Sequence, residues 1–238
     1  MSERRKNEDV DISSALARSL KEALDAIPVF PLAQVVLFPE AMLPLHVFEP
    51  RYRAMIEHCM KTHRAMVVAQ VIGGEDEHGR PRIAPISGGA LVIEHQSLAD
   101  GRSNIVLLGQ ARLRLEEHAP DATRPYRMAR ATILEDRVVS VSENDRASLV
   151  AVATMFATEV KKHDPNFSFR MPATLDAAHI ADLCAFHLVV DAGVRQAVLD
   201  ELDPRARVQI VLSQLALQHS AMRGTDRSRS RGGGSALN

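Results

Sequence analysis

IPVFPLAQVVLFPEAMLPLHVFEPRY, residues Ile27–Tyr52, is the stretch that decides the fold class. Five prolines punctuate it: Pro28, Pro31, Pro39, Pro44 and Pro50. Between them lie short apolar runs, Val29-Phe30, Val35-Val36-Leu37-Phe38 and Met42-Leu43, followed by Leu45, Val47 and Phe48. Proline donates no backbone hydrogen bond, so it sits at strand ends, edges, bulges and turns and not within central strands. The pattern therefore predicts short, sharply bent strands. Phe48 leads into a helix that opens on Glu49-Pro50-Arg51-Tyr52, where a proline at the first turn removes a donor that would be unpaired anyway.

Outward from this stretch, 51–63 reads as a helix with Tyr52, Met55, Ile56, Cys59 and Met60 on its buried face. Residues 65–72 (AMVVAQVI) form a continuous apolar, β-branched run, hence a buried strand, and 73–81 reads as a polar, Gly-rich loop. A β-rich block follows over 83–96. The pair Gly88-Gly89 there predicts a bulge or a close backbone approach. Asp100-Gly101 supplies a hairpin turn. Residues 103–108 return as a strand, Gly109 interrupts, and 111–117 alternates with Leu113 and Leu115 inward and Arg112, Arg114 and Glu116 outward. A further alternating strand spans 126–135. Short sequential strands separated by turns fit a small, coiled antiparallel barrel.

From Ser142 the period changes to helical. Leu149, Val152, Phe156 and Val160 mark one apolar face, and Ile180, Leu183, Cys184 and Leu188 a second, capped by Thr174 or Asp176 and ended by Gly193. Residues 194–202 form a third helix, and Asp203-Pro204 opens a fourth. The class is thus α+β: residues 1–25 a partly helical extension (Ile12, Leu16, Leu20 and Leu24 repeat every four), 26–140 a barrel, 141–222 a helical bundle and 223–238 a disordered, low-complexity tail.

Composition bounds the function. Apolar content of 46% and charged content of 25% in 238 residues are ordinary for a globular protein, and a net charge of −1 provides no global field for nucleic acid or an anionic membrane. The amino terminus lacks an apolar h-region, and no run approaches the roughly 20 apolar residues of a membrane span. The expectation is a cytoplasmic protein without a membrane partner. Cys59 and Cys184 stand in apolar helical patterns outside any C-x-x-C and read as packed, reduced thiols.

The residues quoted so far resemble the Lon N-terminal family, the substrate-binding domain of Lon proteases. The resemblance rests on Ile27–Ile56, on Val67–Val71, on Gly89-Ala90 with Asp100-Gly101 and Gly109–Leu115, and on the block ADLCAFHLVVDAGVRQAVLDELDPRARV. It covers about residues 26–220 and implies a PUA-like β-barrel followed by a helical bundle. Full Lon proteases add an ATPase and a Ser–Lys peptidase. This sequence has no G-x-x-x-x-G-K-[ST], and no lysine follows Lys162. The resemblance therefore implies the recognition part alone, without enzymatic activity.

Candidate chemistry elsewhere is sparse. His58, Cys59 and His63 share one helix, and His179, Cys184 and His187 another, but each offers at most two convergent ligands, so neither metal nor cofactor is expected. Cys184 and His187 are a conceivable catalytic pair, but their i, i+3 spacing on an apolar helix face reads more simply as packing, and Ser87 lacks the first glycine of G-x-S-x-G. A hydrolase with an unrecognised site remains one alternative reading. RNA binding through the PUA-like barrel is another; its basic pieces are Arg112 and Arg114 with tail Arg223, Arg227, Arg229 and Arg231, but near-zero charge and the scarcity of aromatic residues disfavour nucleic acid. The favoured reading is a protein-binding module for unfolded or extended polypeptide, with a separate protease as further partner. Phe38, Met42, Leu43, Leu45 and Phe48 form the candidate apolar floor, and Phe38, Met42 and Leu43, beside Pro39-Glu40-Ala41, are the assigned contact residues.

Overall fold

The computed structural model describes residues 19–232, with side chains through Arg223. The chain divides into two compact units between Glu135 and Asp136. In the first, the strands are β1 (Ile27–Leu32), β2 (Met42–Val47), β3 (Ala65–Glu75), β4 (Pro81–Ile83), β5 (Ile86–Ser97), β6 (Ser103–Glu117) and β7 (Arg127–Leu134), with helix α1 (Pro50–Lys61) between β2 and β3. Strands β1, β7, β6, β5 and β3 form a closed ring. All of its pairings are antiparallel except one: β1 and β3 run parallel, Val29 opposite Val67. A parallel pair cannot be joined by a hairpin, and the β2–α1 segment is the crossover. The expected barrel is thus present, but its closure is mixed in direction.

Period-two alternation fills the barrel. Ile27 and Val29, Ala65, Val67 and Ala69, Leu91, Leu113 and Leu115, and Ala129 and Ala131 form one buried cluster. Small residues on β3 and β7 face large ones on β1 and β6. Leu20 and Ala23 join this cluster from the helical residues 19–23, and Ala131 donates its backbone N–H to Leu24 O at 2.7 Å. Ile12 and Leu16 lie outside the described residues. The opposite parity is covered too: Phe30, Met66 and Val68 are buried, and the Phe30 ring meets Tyr52 of α1 at 4.4 Å.

Three sequence expectations change here. Gly109 does not end a strand, because β6 runs through it, with a register shift against β5 between the Gly89–Ala111 and Ala90–Gly109 pairs. A Cβ at Gly109 would stand 2.0 Å from Phe38 O, and one at Gly88 2.2 Å from Leu37 O. The two glycines let residues 37–38 lie flat against the barrel. Arg112 does not point into solvent: it is buried, with its guanidinium 6.0 Å above the Phe38 ring. The stretch 73–81 is not wholly loop, since β3 continues to Glu75 through Gly73 and Gly74, both at positive φ, and turns back as β4.

In the second unit the helices are α2 (Glu143–His163), α3 (Ala177–His187), α4 (Ala192–Asp200) and α5 (Pro204–Gly232). Ser142 and Asp176 cap α2 and α3, accepting the Asp145 and His179 N–H groups. Gly193 does not end α3. That helix stops at His187, and the Asp191 carboxylate accepts Val194 N–H at 2.9 Å, starting α4 around the glycine. Helix α5 packs on α2, α3 and α4 through a core that includes Leu149, Phe156, Ile180, Val198, Val208 and Leu215. Arg207 of α5, 1% exposed, bonds both Asp182 oxygens at 3.2 Å, the Glu201 carbonyl at 3.2 Å and the Asp136 carboxylate. With Arg137 N–H on Leu202 O, that pairing ties residues 136–137 to the helices. Helix α5 runs on through 224–232, where the composition suggests disorder, and 233–238 lie outside the described residues.

Candidate functional site

The turn before β2 is set by its sequence. Ala41 N–H bonds Phe38 O at 3.2 Å, Pro39 takes the second turn position and Glu40 the third, at φ 63°. A positive φ there after proline is the type II arrangement, which usually calls for glycine or asparagine. Glu40 N–H then bonds Gly109 O, and Gly109 N–H bonds Ala41 O, both at 2.9 Å. The turn is thereby clamped to β6 and launches β2 along it.

That clamp fixes which way the backbone of β2 faces. β2 pairs with β6 from Met42↔Leu108 to Val47↔Ser103, and among the described residues no strand pairs with its other side. In an antiparallel ladder the bonded pairs alternate. Counting from the bonded Ala41–Gly109 pair, Leu43, Leu45 and Val47 turn their amides toward β6, whereas Met42, Pro44 and His46 turn theirs outward. Pro44 falls where its missing N–H breaks no ladder bond. The open edge consequently presents N–H and C=O of Met42, C=O of Pro44, and N–H and C=O of His46.

The side chains follow the same period. Met42 is 54% exposed and Phe48 61%, with Pro44 and His46 exposed between them. Leu43 and Leu45 are half-buried on the opposite face and Val47 is buried. The His46 ring stacks on Phe48 at 6.4 Å, and its Nδ1 lies 2.8 Å from Asn104 Oδ1. Asn104 Nδ2 donates in turn to Gln96 Oε1 at 3.2 Å, so one polar row crosses β2, β6 and β5. Beside it lies a shallow depression of about 590 Å³ whose walls include Pro44, His46, Glu94, Gln96, Asn104 and Val106. An open edge flanked by exposed apolar side chains is the arrangement to which an extended chain can add as a further strand.

The three assigned contact residues divide. Phe38 is fully buried and belongs to the core beneath Arg112, so it drops out as a contact residue. Met42 is on the surface and Leu43 half so. Phe48, named in the candidate floor but not among the three assigned residues, is exposed, as are Pro44 and His46, which that floor does not include; the signal available was the period-two series Met42, Pro44, His46, Phe48.

The family model described as the ATP-dependent protease La (LON) substrate-binding domain matches residues 26–216. The chain belongs to this family. Lon protease 2 of Myxococcus xanthus is 28% identical over 195 residues, which are 79% of this chain and 23% of that protein. Lon protease 2 of Herpetosiphon aurantiacus is 30% identical over 203 residues, 81% of this chain and 25% of that protein. The chain thus spans about a quarter of the length of these relatives. In structure it is similar to a Lon N-terminal domain protein from Xanthomonas campestris, with TM-score 0.59 and 22% identity, covering 79% of this chain and 97% of that one. It is also similar to the N-terminal domain of Mycobacterium avium complex Lon protease, with TM-score 0.58 and 13% identity, covering 81% and 98%.

The other candidate residues of this Lon substrate-binding domain are spread through structural roles. Cys59 is buried, its thiol directed to Ala65 O at 3.5 Å, whereas His63 is at the surface 3.5 Å from Glu22. Cys184 is buried, while the His187 ring packs on Phe186 and Phe169. Burial pushes both thiols up to about 12, far from a nucleophilic thiolate. Ser87 Oγ is buried and donates to Ala84 O at 3.0 Å. Among the described residues no three His, Cys, Asp or Glu side chains gather as a metal site, and no helix is long and apolar enough to cross a membrane.

Proposed function

We propose that this Lon-family domain is a non-catalytic recognition module that binds unfolded or extended polypeptide along the open edge of β2 and serves a separate protease. The observation that carries the reading is the edge itself. Five outward backbone groups lie beside Met42, Pro44 and Phe48, and an extended segment would satisfy the first while covering the second. Main-chain bonding is indifferent to sequence, which suits a module that must accept many clients. The family's description as the substrate-binding domain of an ATP-dependent protease supports the reading, since the substrates of a protease are polypeptides.

The test is fluorescence anisotropy with a reduced, alkylated polypeptide and with its folded counterpart. The unfolded chain should bind and the folded one should not. His46→Pro removes one outward donor and leaves the β6 ladder intact; one hydrogen bond of about 0.5–1.5 kcal/mol corresponds to a loss of roughly two- to twelvefold. His46→Ala separates the ring from the amide, and Met42→Asp with Phe48→Asp should reduce binding further. Equal, negligible binding of both polypeptides would sink the proposal, as would binding indifferent to all of these variants.

A further inference from the structure

Away from the β2 edge the barrel unit holds a second concavity of about 740 Å³, between the end of β1, the start of α1, the β3–β4 hairpin and the β6–β7 loop. Its size is that of a small-ligand site. Pro31, Pro81, Pro120 and Pro125 stiffen its walls, and Val71 and Met128 add apolar surface. Both tyrosines of the chain, Tyr52 and Tyr126, line it.

Four guanidiniums face this space, and three are already engaged. Arg80 is paired with Asp76 at 2.7 Å and Glu117 at 3.3 Å. Arg127 is paired with Glu117 at 3.1 Å and donates to Pro81 O at 2.7 Å. Arg51 is paired with Glu49 at 2.9 Å and lies 4.5 Å over the Tyr52 ring. Arg124 alone of the four makes no side-chain hydrogen bond or ion pair among the described residues. The nearby Asp121 carboxylate accepts from Thr123, whose N–H and Oγ1 reach it at 2.8 and 2.7 Å, and the Arg124 charge acts on it through space without a side-chain hydrogen bond or ion pair. Arg124 sits close enough to Tyr126 for its charge to act on the phenol, and Tyr126 is steadied by the His58 ring at 6.0 Å.

We infer that this cleft is a binding site for a carboxylate carried on an apolar or aromatic body, with Arg124 gripping the carboxylate and Tyr126 and the prolines flanking the body. A planar guanidinium with unclaimed donors matches a carboxylate through two parallel bonds. The surrounding ion pairs cancel the other three charges, so a diffuse polyanion gains little here and a single carboxylate gains most. Two sources share this chemistry: the carboxyl terminus of a polypeptide and a free organic acid. The site is separate from the β2 edge and does not rest on that reading.

The chain has no tryptophan, so its tyrosine emission arises wholly within this cleft and reports its occupancy. N-acetylphenylalanine, an acetylated tetrapeptide ending in phenylalanine, and the amide of each are titrated against the whole protein, with calorimetry in parallel. Saturable binding of an acid is expected, weaker by about ten- to a hundredfold for its amide and for Arg124→Gln, and partly restored in Arg124→Lys. A tetrapeptide acid that binds tighter than N-acetylphenylalanine identifies a chain terminus, and equal affinities identify a free acid. No saturable binding of either acid overturns the inference, as do acid and amide binding alike or an unaltered affinity in a folded Arg124→Gln protein. The β2-edge variants leave this titration unchanged, so the two proposals stand or fall separately.

Discussion

Replacing Arg207 by alanine should be among the most damaging single changes in the helical unit. The side chain is 1% exposed and serves Asp182, Asp136 and the Glu201 carbonyl together. Its partners differ in their access to water: the Asp182 side chain is 6% exposed and that of Asp136 35%. On losing the guanidinium, Asp136 can rehydrate, but the Asp182 carboxylate stays in the interior with its Arg207 ion pair and both hydrogen bonds to it lost. Breaking a buried pair from one side costs about 3–5 kcal/mol, a large part of a domain's total stability of roughly 5–15 kcal/mol. With a urea slope of about 2 kcal/mol per molar, the midpoint should fall by about 2 M. Removing both charges is different: Arg207→Met combined with Asp182→Leu should recover most of the loss, because no buried charge is stranded. The assay is urea unfolding followed by far-UV circular dichroism, which reads the helices, alongside tyrosine emission, which reads the barrel because both tyrosines precede Glu135. A loss below about 1 kcal/mol, the range of a surface ion pair, refutes the reasoning, as does a double variant no more stable than Arg207→Ala.

Three further outcomes are expected. Gly109→Ala drives a methyl group to 2.0 Å from the Phe38 carbonyl; the 38–41 turn must move off β6, costing about 1–3 kcal/mol or more by urea unfolding and weakening polypeptide binding at the edge that this turn launches. Glu40→Gly relieves a left-handed residue at φ 63° and should leave stability unchanged or raise it by up to about 1 kcal/mol, read from the same denaturation curve. Cys59 and Cys184 should resist thiol reagents in the folded protein at neutral pH and react on unfolding. Their folded pKa of about 12 exceeds the ordinary value of 9.0, so the stability they confer is complete below pH 9 and declines between about pH 9 and 12, visible as alkaline unfolding that Cys59→Ala and Cys184→Ala displace.

Much of the architecture is legible in the residues because it is local. Pro39 takes the turn before β2 and Pro50 opens α1, although Pro28 and Pro31 lie within β1 and Pro44 within β2; alternation marks Leu113 and Leu115 as inward, Asp100-Gly101 makes its turn with Gly101 at φ 79°, and Ser142 and Asp176 cap as their side chains allow. What escapes is what depends on distant chain. Gly109 looks like a break until residues 37–38 are known to cross it. Arg112 alternates as an outward residue, but the same crossing covers it. Phe38 and Phe48 are alike in sequence, yet one is buried as part of that crossing and the other stands beside an edge that no strand among the described residues occupies. The direction of closure between β1 and β3 has no local signature, since parallel pairing is decided by the whole intervening crossover.

The position of β1 in the ring also has a temporal side. It is the first barrel strand to be synthesised, yet Val29 pairs with Val67, and Ile27 pairs with Ala129, about 100 residues downstream. At a synthesis rate of about 5–20 residues per second, Ile27–Leu32 waits roughly 5–20 s for its last partner. During that interval a strand buried in the finished barrel is exposed to every other nascent chain nearby. Pro28 and Pro31 lie within it, and prolines are poor templates for intermolecular strand pairing. The residues that punctuate the fold therefore also guard the nascent chain against aggregation until β7 arrives to complete the ring.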